Sequence, residues 1–132
     1  MSQVITRHIK DMVADANTRV ATMSVEDVQA ALGSNDHVFV DIRDIRELQR
    51  SGKIPGAFHA PRGMLEFWID PESPYHREVF NQDKTYVFYC ASAWRSALAA
   101  DAAQSMGLKP VLHIEGGFTA WEKAAGDIEQ LD

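Results

Sequence analysis

A single cysteine, Cys90, stands in the stretch TYVFYCASAWRSALAADAA, where a run of aromatic and β-branched residues gives way to an alanine-rich helical pattern. Arg95 follows within what would be the first helical turn. A thiol at the mouth of a helix is placed for nucleophilic chemistry. The first-turn N–H groups lack intrahelical partners and the helix dipole adds partial positive charge, so an anion is stabilised there, a thiolate included. Arg95 would either pair with that thiolate or clamp an anionic group brought to it. The competing use of Cys90 is packing, because free cysteine is among the most buried residue types and behaves as a small hydrophobe. One cysteine forms no internal disulfide, no Cys-x-x-Cys pair and no multi-cysteine zinc site. The histidines, His8, His37, His59, His76 and His113, show neither i, i+4 pairing nor Cys/His ligand spacing, so no metal and no cofactor are expected.

The elements that must position Cys90 are legible around it. SVEDVQAALG opens with Ser24 three residues before Asp27 and closes at Gly33, which predicts a helix. VFVDI, AFHA, TYVFYC and PVLHIEGG read as strands. RDIRELQRSG, MLEFWI, SALAADAAQSMG and FTAWEKAAG read as helices between and after them. Apolar strands without alternation, separated by helices, indicate a parallel sheet covered on both faces. In such folds ligands bind beyond the carboxyl ends of the strands, which is where Cys90 falls. The segment from Asp70 to Asp83, with two prolines, reads as a surface excursion. Near the N-terminus, Ile5, Ile9, Met12, Val13 and Ala16 share one helical face, which reads as packing against the domain. The division expected is a helical extension over 1–20 and one domain over 21–132.

At 132 residues the chain suits one hydrophobic core. Its 45% hydrophobic and 24% charged residues exclude a disordered chain. Acidic residues outnumber basic ones 19 to 13, for a formal charge of -6, so nucleic acid is not an expected partner. No stretch has the length of a membrane span and no leader pattern is present, so a cytoplasmic location without a membrane partner is expected.

Four motifs in order resemble the rhodanese family of single-domain sulfurtransferases: DIR at Asp41–Arg43, GKIPGAFHAP at Gly52–Pro61, YCASAWRSALAA at Tyr89–Ala100 and EGGFTAW at Glu115–Trp121. The resemblance implies a compact α/β domain with a central five-stranded parallel sheet and helices on both faces. It implies Cys90 as the sulfur-carrying nucleophile, with Cys90 to Arg95 forming a six-residue cradle and Ala91, Ser92, Ala93, Trp94, Arg95 and Ser96 as substrate-binding candidates. It implies a small anionic sulfur donor such as thiosulfate and a cyanide, thiol or protein acceptor. Asp41 would pair with Arg43, Arg46 or another arginine and hold the loops near the site; capping the following helix is the alternative, and the preferred one. Arg43 and Arg62 are supporting candidates, Arg62 on a rim loop where solvation is its default. Phe67, Trp68 and Trp94 would wall the pocket or simply pack. Gly56, Gly116 and Gly117 read as turn residues, the last two where a side chain would obstruct neighbouring loops.

Two positions depart from the family pattern. Ala91 stands where a basic residue is frequent, which predicts weaker attraction for dianionic thiosulfate. Ala93 stands where glycine is frequent, and a positive φ there would strain an alanine. The competing functions are a non-enzymatic sulfur-carrier or partner-binding module, and a cysteine phosphatase or arsenate reductase. Against the latter, four residues separate Cys90 from Arg95, one fewer than in the tyrosine-phosphatase pattern.

Overall fold

A computed structural model describes residues 2–131. Its centre is a five-stranded sheet in the order β1-β5-β4-β2-β3, every neighbouring pair parallel. The strands are β1 (Ala21–Met23), β2 (His37–Asp41), β3 (Phe58–His59), β4 (Thr85–Tyr89) and β5 (Val111–Ile114). The helices are α1 (Ile9–Asn17), α2 (Val25–Ala31), α3 (Ile45–Ser51), α4 (Leu65–Ile69), α5 (Trp94–Ser105) and α6 (Gly117–Lys123).

Central position explains the composition of β4. Its side chains are buried on both faces, so it is apolar without alternation. Tyr86 and Phe88 enter one core layer with Val40, Leu65, Phe80 and the alanines of α5. Val87 and Tyr89 enter the other with Val28, Ile54, Phe118 and Trp121. Ala97, Ala99, Ala100 and Ala103 of α5 are fully buried; their small size lets the helix backbone approach the sheet closely.

Two helix starts follow local signals. Ser24 Oγ accepts from Asp27 N at 3.1 Å and caps α2. Asp44 caps α3 in a reciprocal box with Glu47, so Asp41 is not the cap. Asp41 is still inside β2, too early in the chain to reach the first turn of α3. The excursion after α4 is tied down by Phe80, which is buried and packs on Phe58 and Tyr86. The Tyr86 hydroxyl donates to Val79 O at 2.8 Å.

The expected N-terminal face is only partly used. α1 begins at Ile9, and Ile5 and Ile9 are 63% and 50% exposed. Val13 and Ala16 are the buried pair, packed on Ala97 of α5. Arg19 fastens the end of this segment by donating to both carboxylate oxygens of Asp101 at 2.8 Å. Among the described residues no helix is long and apolar enough to cross a membrane.

Candidate functional site

Cys90 follows β4 directly, at the carboxyl edge of the sheet, and is 0% exposed. The chain from Cys90 to Ala93 curls back so that its sulfur accepts two backbone hydrogen bonds, from Ala93 N at 3.2 Å and Ser96 N at 3.3 Å. Both donors belong to the entry of α5. The N–H groups of Ala91, Ser92, Trp94 and Arg95 have no partner among the described residues. The loop is therefore a ring of free and sulfur-directed donors, the arrangement that holds an anion.

The curl depends on a left-handed residue. Ala93 has φ 78° and ψ 5° and precedes α5 with no side-chain cap. Alanine there bears a cost of about 1–2 kcal/mol that glycine would not. The alanine at this position thus adopts the left-handed conformation itself.

A second helix holds the loop from outside. Phe118 N, at the start of α6, donates to Cys90 O at 2.8 Å, and Thr119 N donates to Ala91 O at 3.0 Å. Drawing these carbonyls outward leaves the loop N–H groups turned inward. The approach requires glycine: a Cβ on Gly117 would lie 2.6 Å from both Cys90 O and Ala91 O, and its φ is +62°. Gly117 is the residue of the EGGF motif that meets the nucleophile loop.

Among the described residues the Arg95 side chain bonds Glu47 and not the sulfur. Its guanidinium donates to both oxygens of Glu47 at 2.8 and 3.0 Å, linking α5 to α3. That hydrogen bond pushes the Arg95 pKa up and holds the Glu47 carboxyl below its ordinary value. Glu47 is the residue the sequence reading missed. Its signal was the Asp44-x-x-Glu47 spacing, a capping box whose acid also serves the site.

Asp41 and Arg43 form a buried frame beneath the loops. Arg43 donates Nε and Nη2 to the Asp41 carboxylate at 3.0 and 2.8 Å, and Nη2 also reaches Gly52 O at 2.7 Å. The guanidinium lies 4.2 Å from the centre of the Phe118 ring. This pair ties β2, the end of α3 and the start of α6 together. Arg62 lies outside this group and pairs with Glu66 at 2.7 Å. Phe67 and Trp94 are 53% and 49% exposed, whereas Trp68 packs on Phe58 and carries Arg77 over its face.

Ser96 is buried and makes a further contact. Its Oγ lies 2.9 Å from His113 Nδ1, and His113 Nε2 lies 2.9 Å from Asn17 Oδ1. Two cavities, of about 450 and 460 Å³, lie at the other end of the sheet and include none of the loop residues. The described residues contain no group of three or more His, Cys, Asp or Glu able to hold a metal ion.

Residues 24–124 match the family model of the rhodanese-like domain. The chain resembles a solved structure from Rhodopseudomonas palustris, a protein of unknown function named a possible tyrosine phosphatase. The identity is 59%, the TM-score 0.95, and the match covers 98% of this chain and 99% of that one. The putative sulfurtransferase YtwF of Bacillus subtilis is 35% identical over 83 residues, covering 63% of this chain and 71% of that protein. The mouse thiosulfate sulfurtransferase/rhodanese-like domain-containing protein 3 is 27% identical over 104 residues, covering 75% of this chain and 66% of that protein.

Proposed function

The chain belongs to the rhodanese-like domain family, and on that premise we propose that it is a sulfurtransferase working through a Cys90 persulfide. The observation that carries the reading is the Cys90 sulfur at the focus of loop N–H groups, two of them already donated to it.

In the first half-reaction the Cys90 thiolate attacks the outer sulfur of thiosulfate. A sulfur–sulfur bond to Cys90 forms, the bond from that sulfur to the sulfonate group breaks, and sulfite leaves with the bonding pair. Charge is conserved, from thiolate and dianion to persulfide anion and dianion. In the second, cyanide or a thiolate attacks the terminal sulfur, and Cys90 departs as thiolate. This is covalent catalysis in two displacements, and no proton must move in either. The N–H groups of Ala91, Ser92, Trp94 and Arg95 supply donors for the negative sulfur one bond beyond Cys90 Sγ. Arg95, engaged by Glu47, supplies positive charge at the rim rather than a contact to the sulfur. The lone cysteine forms no internal resolving disulfide, so the persulfide waits for an outside acceptor. A cytoplasmic setting with a thiol or protein acceptor fits this chemistry.

The name of the Rhodopseudomonas relative raises a second reading, phosphate-ester cleavage. The short Cys90-to-Arg95 ring and the Glu47-bound Arg95 favour sulfur over a tetrahedral phosphate.

The test is thiosulfate-to-cyanide sulfur transfer by wild type beside Cys90→Ser, with intact mass recorded after exposure to thiosulfate and an aryl phosphate assayed in parallel. The expected result is transfer and a one-sulfur mass gain in wild type only, with no phosphate release. Phosphate release without a sulfur adduct would replace this reading with the second, and neither activity would leave a binding module.

A further inference from the structure

We propose that Asn17 and His113 are positioning residues for the Cys90 thiolate, so that the N-terminal helix α1 belongs to the nucleophile's apparatus. The proposal deepens the sulfur-transfer reading, although its decisive measurement requires only a thiolate at Cys90.

The connection is continuous. Ser96 N donates to Cys90 Sγ at 3.3 Å, Ser96 Oγ meets His113 Nδ1 at 2.9 Å, and His113 Nε2 meets Asn17 Oδ1 at 2.9 Å. The chemistry of the partners fixes the protons. An amide oxygen only accepts, so Nε2 carries the imidazole proton, Nδ1 is the acceptor and the Ser96 hydroxyl donates to it. Burial holds His113 below its ordinary pKa, which agrees with a neutral ring. In β5 its register neighbours are Thr22 on β1 and Phe88 on β4, neither of them charged.

The consequence falls on the backbone of Ser96. A serine in the first turn of a helix ordinarily turns its hydroxyl to nearby backbone groups and competes with their other bonds. Here the hydroxyl is drawn off the helix to β5, and residue 96 is fixed on both sides: the sulfur takes its N–H and His113 takes its O–H. Asn17 completes the fixation by setting the tautomer. Without an acceptor at Nε2, the neutral ring is free to carry its proton on Nδ1, which then donates to Ser96 Oγ and releases the hydroxyl. His113 is 2% exposed, and Asn17 is the one protein group that accepts from its Nε2 among the described residues.

The test compares Asn17→Ala, Asn17→Asp and Ser96→Ala with wild type, and adds Val28→Ala, which loosens α2 in the other core layer without touching the network. Asn17 is solvent-accessible and its truncation leaves the core intact. The readouts are the ultraviolet absorbance of the thiolate at neutral pH, taken against Cys90→Ser, together with kcat for sulfur transfer and Tm. The expected result is a fall of about twofold in thiolate absorbance for Asn17→Ala and Ser96→Ala, with no further fall when the two are combined. Asn17→Asp, which keeps the acceptor, restores it. Val28→Ala lowers Tm and leaves the absorbance unchanged. Two outcomes overturn the proposal: Asn17→Ala behaving like Val28→Ala, or wild type showing no thiolate absorbance at neutral pH. Absent sulfur transfer with the absorbance pattern intact would overturn the functional reading instead and leave the positioning role standing.

Discussion

Substituting Gly117 by alanine separates the two demands made on that position. The first is conformational: φ is +62°, and an L-residue there costs about 1–2 kcal/mol. The second is steric, since the new Cβ would stand 2.6 Å from Cys90 O and Ala91 O and 2.8 Å from Ala91 C. Reaching even the 3.0 Å limit of real contacts moves the loop about 0.4 Å, and ordinary contact at 3.4 Å moves it about 0.8 Å. Such a shift stretches the hydrogen bonds from Phe118 N and Thr119 N, each contributing about 0.5–1.5 kcal/mol. The total loss expected is about 2–5 kcal/mol. Gly56→Ala supplies the control, because Gly56 has φ +78° and nothing within 4 Å of its Cβ position. It should lose only the conformational part, about 1–2 kcal/mol. Urea denaturation followed by tryptophan fluorescence reads the stabilities. Sulfur-transfer kcat reads the loop, and should drop about tenfold in Gly117→Ala alone, since a misplacement of about 1 Å is able to cost a hundredfold. Equal stability losses in the two variants with kcat unchanged would refute the claim that α6 sets the shape of the nucleophile loop.

Ala93→Gly relieves the left-handed strain at φ 78° and adds freedom to the unfolded chain, for a net stabilisation of about 0.5–1 kcal/mol. The denaturant midpoint should rise while the sulfur adduct still forms, and a fall in midpoint would contradict the strain. Glu47 has a carboxyl held below its ordinary 4.5 by Arg95. Its contribution is present above that value and is lost as pH falls through the lowered folded one. Glu47→Gln should therefore flatten the acid side of the stability profile, below about pH 5, and a profile parallel to wild type would count against the ion pair.

Local patterns carried much of this. The β4 to α5 junction was legible because a central strand must be apolar throughout and a closely packed helix must be small-sided. That placed Cys90 before any fold was known. The strand β1 was not legible: Ala21–Met23 is a three-residue edge with two exposed positions, strand only because β5 lies beside it. The helix cap went to Asp44 rather than Asp41 because β2 runs through residue 41, a boundary that the run of acids and arginines in DIRDIRE does not mark. Pairings across distance were beyond the pattern altogether. Arg95 meets Glu47 from 48 positions away, and His113 meets Asn17 from 96, contacts that exist only through sheet order.

The same long reach bears on how the protein comes into being. The nucleophile loop looks local, seven consecutive residues, yet its shape is set by Asn17 near one end of the chain and by Gly117 to Thr119 near the other. Contacts so far apart in sequence close late, after the chain between them has been gathered. During synthesis the thiol therefore emerges well before the helix that frames it, and for that interval Cys90 is an ordinary cysteine. Competence arrives only when α6 docks, so a nascent or partly unfolded chain carries the cysteine without the site.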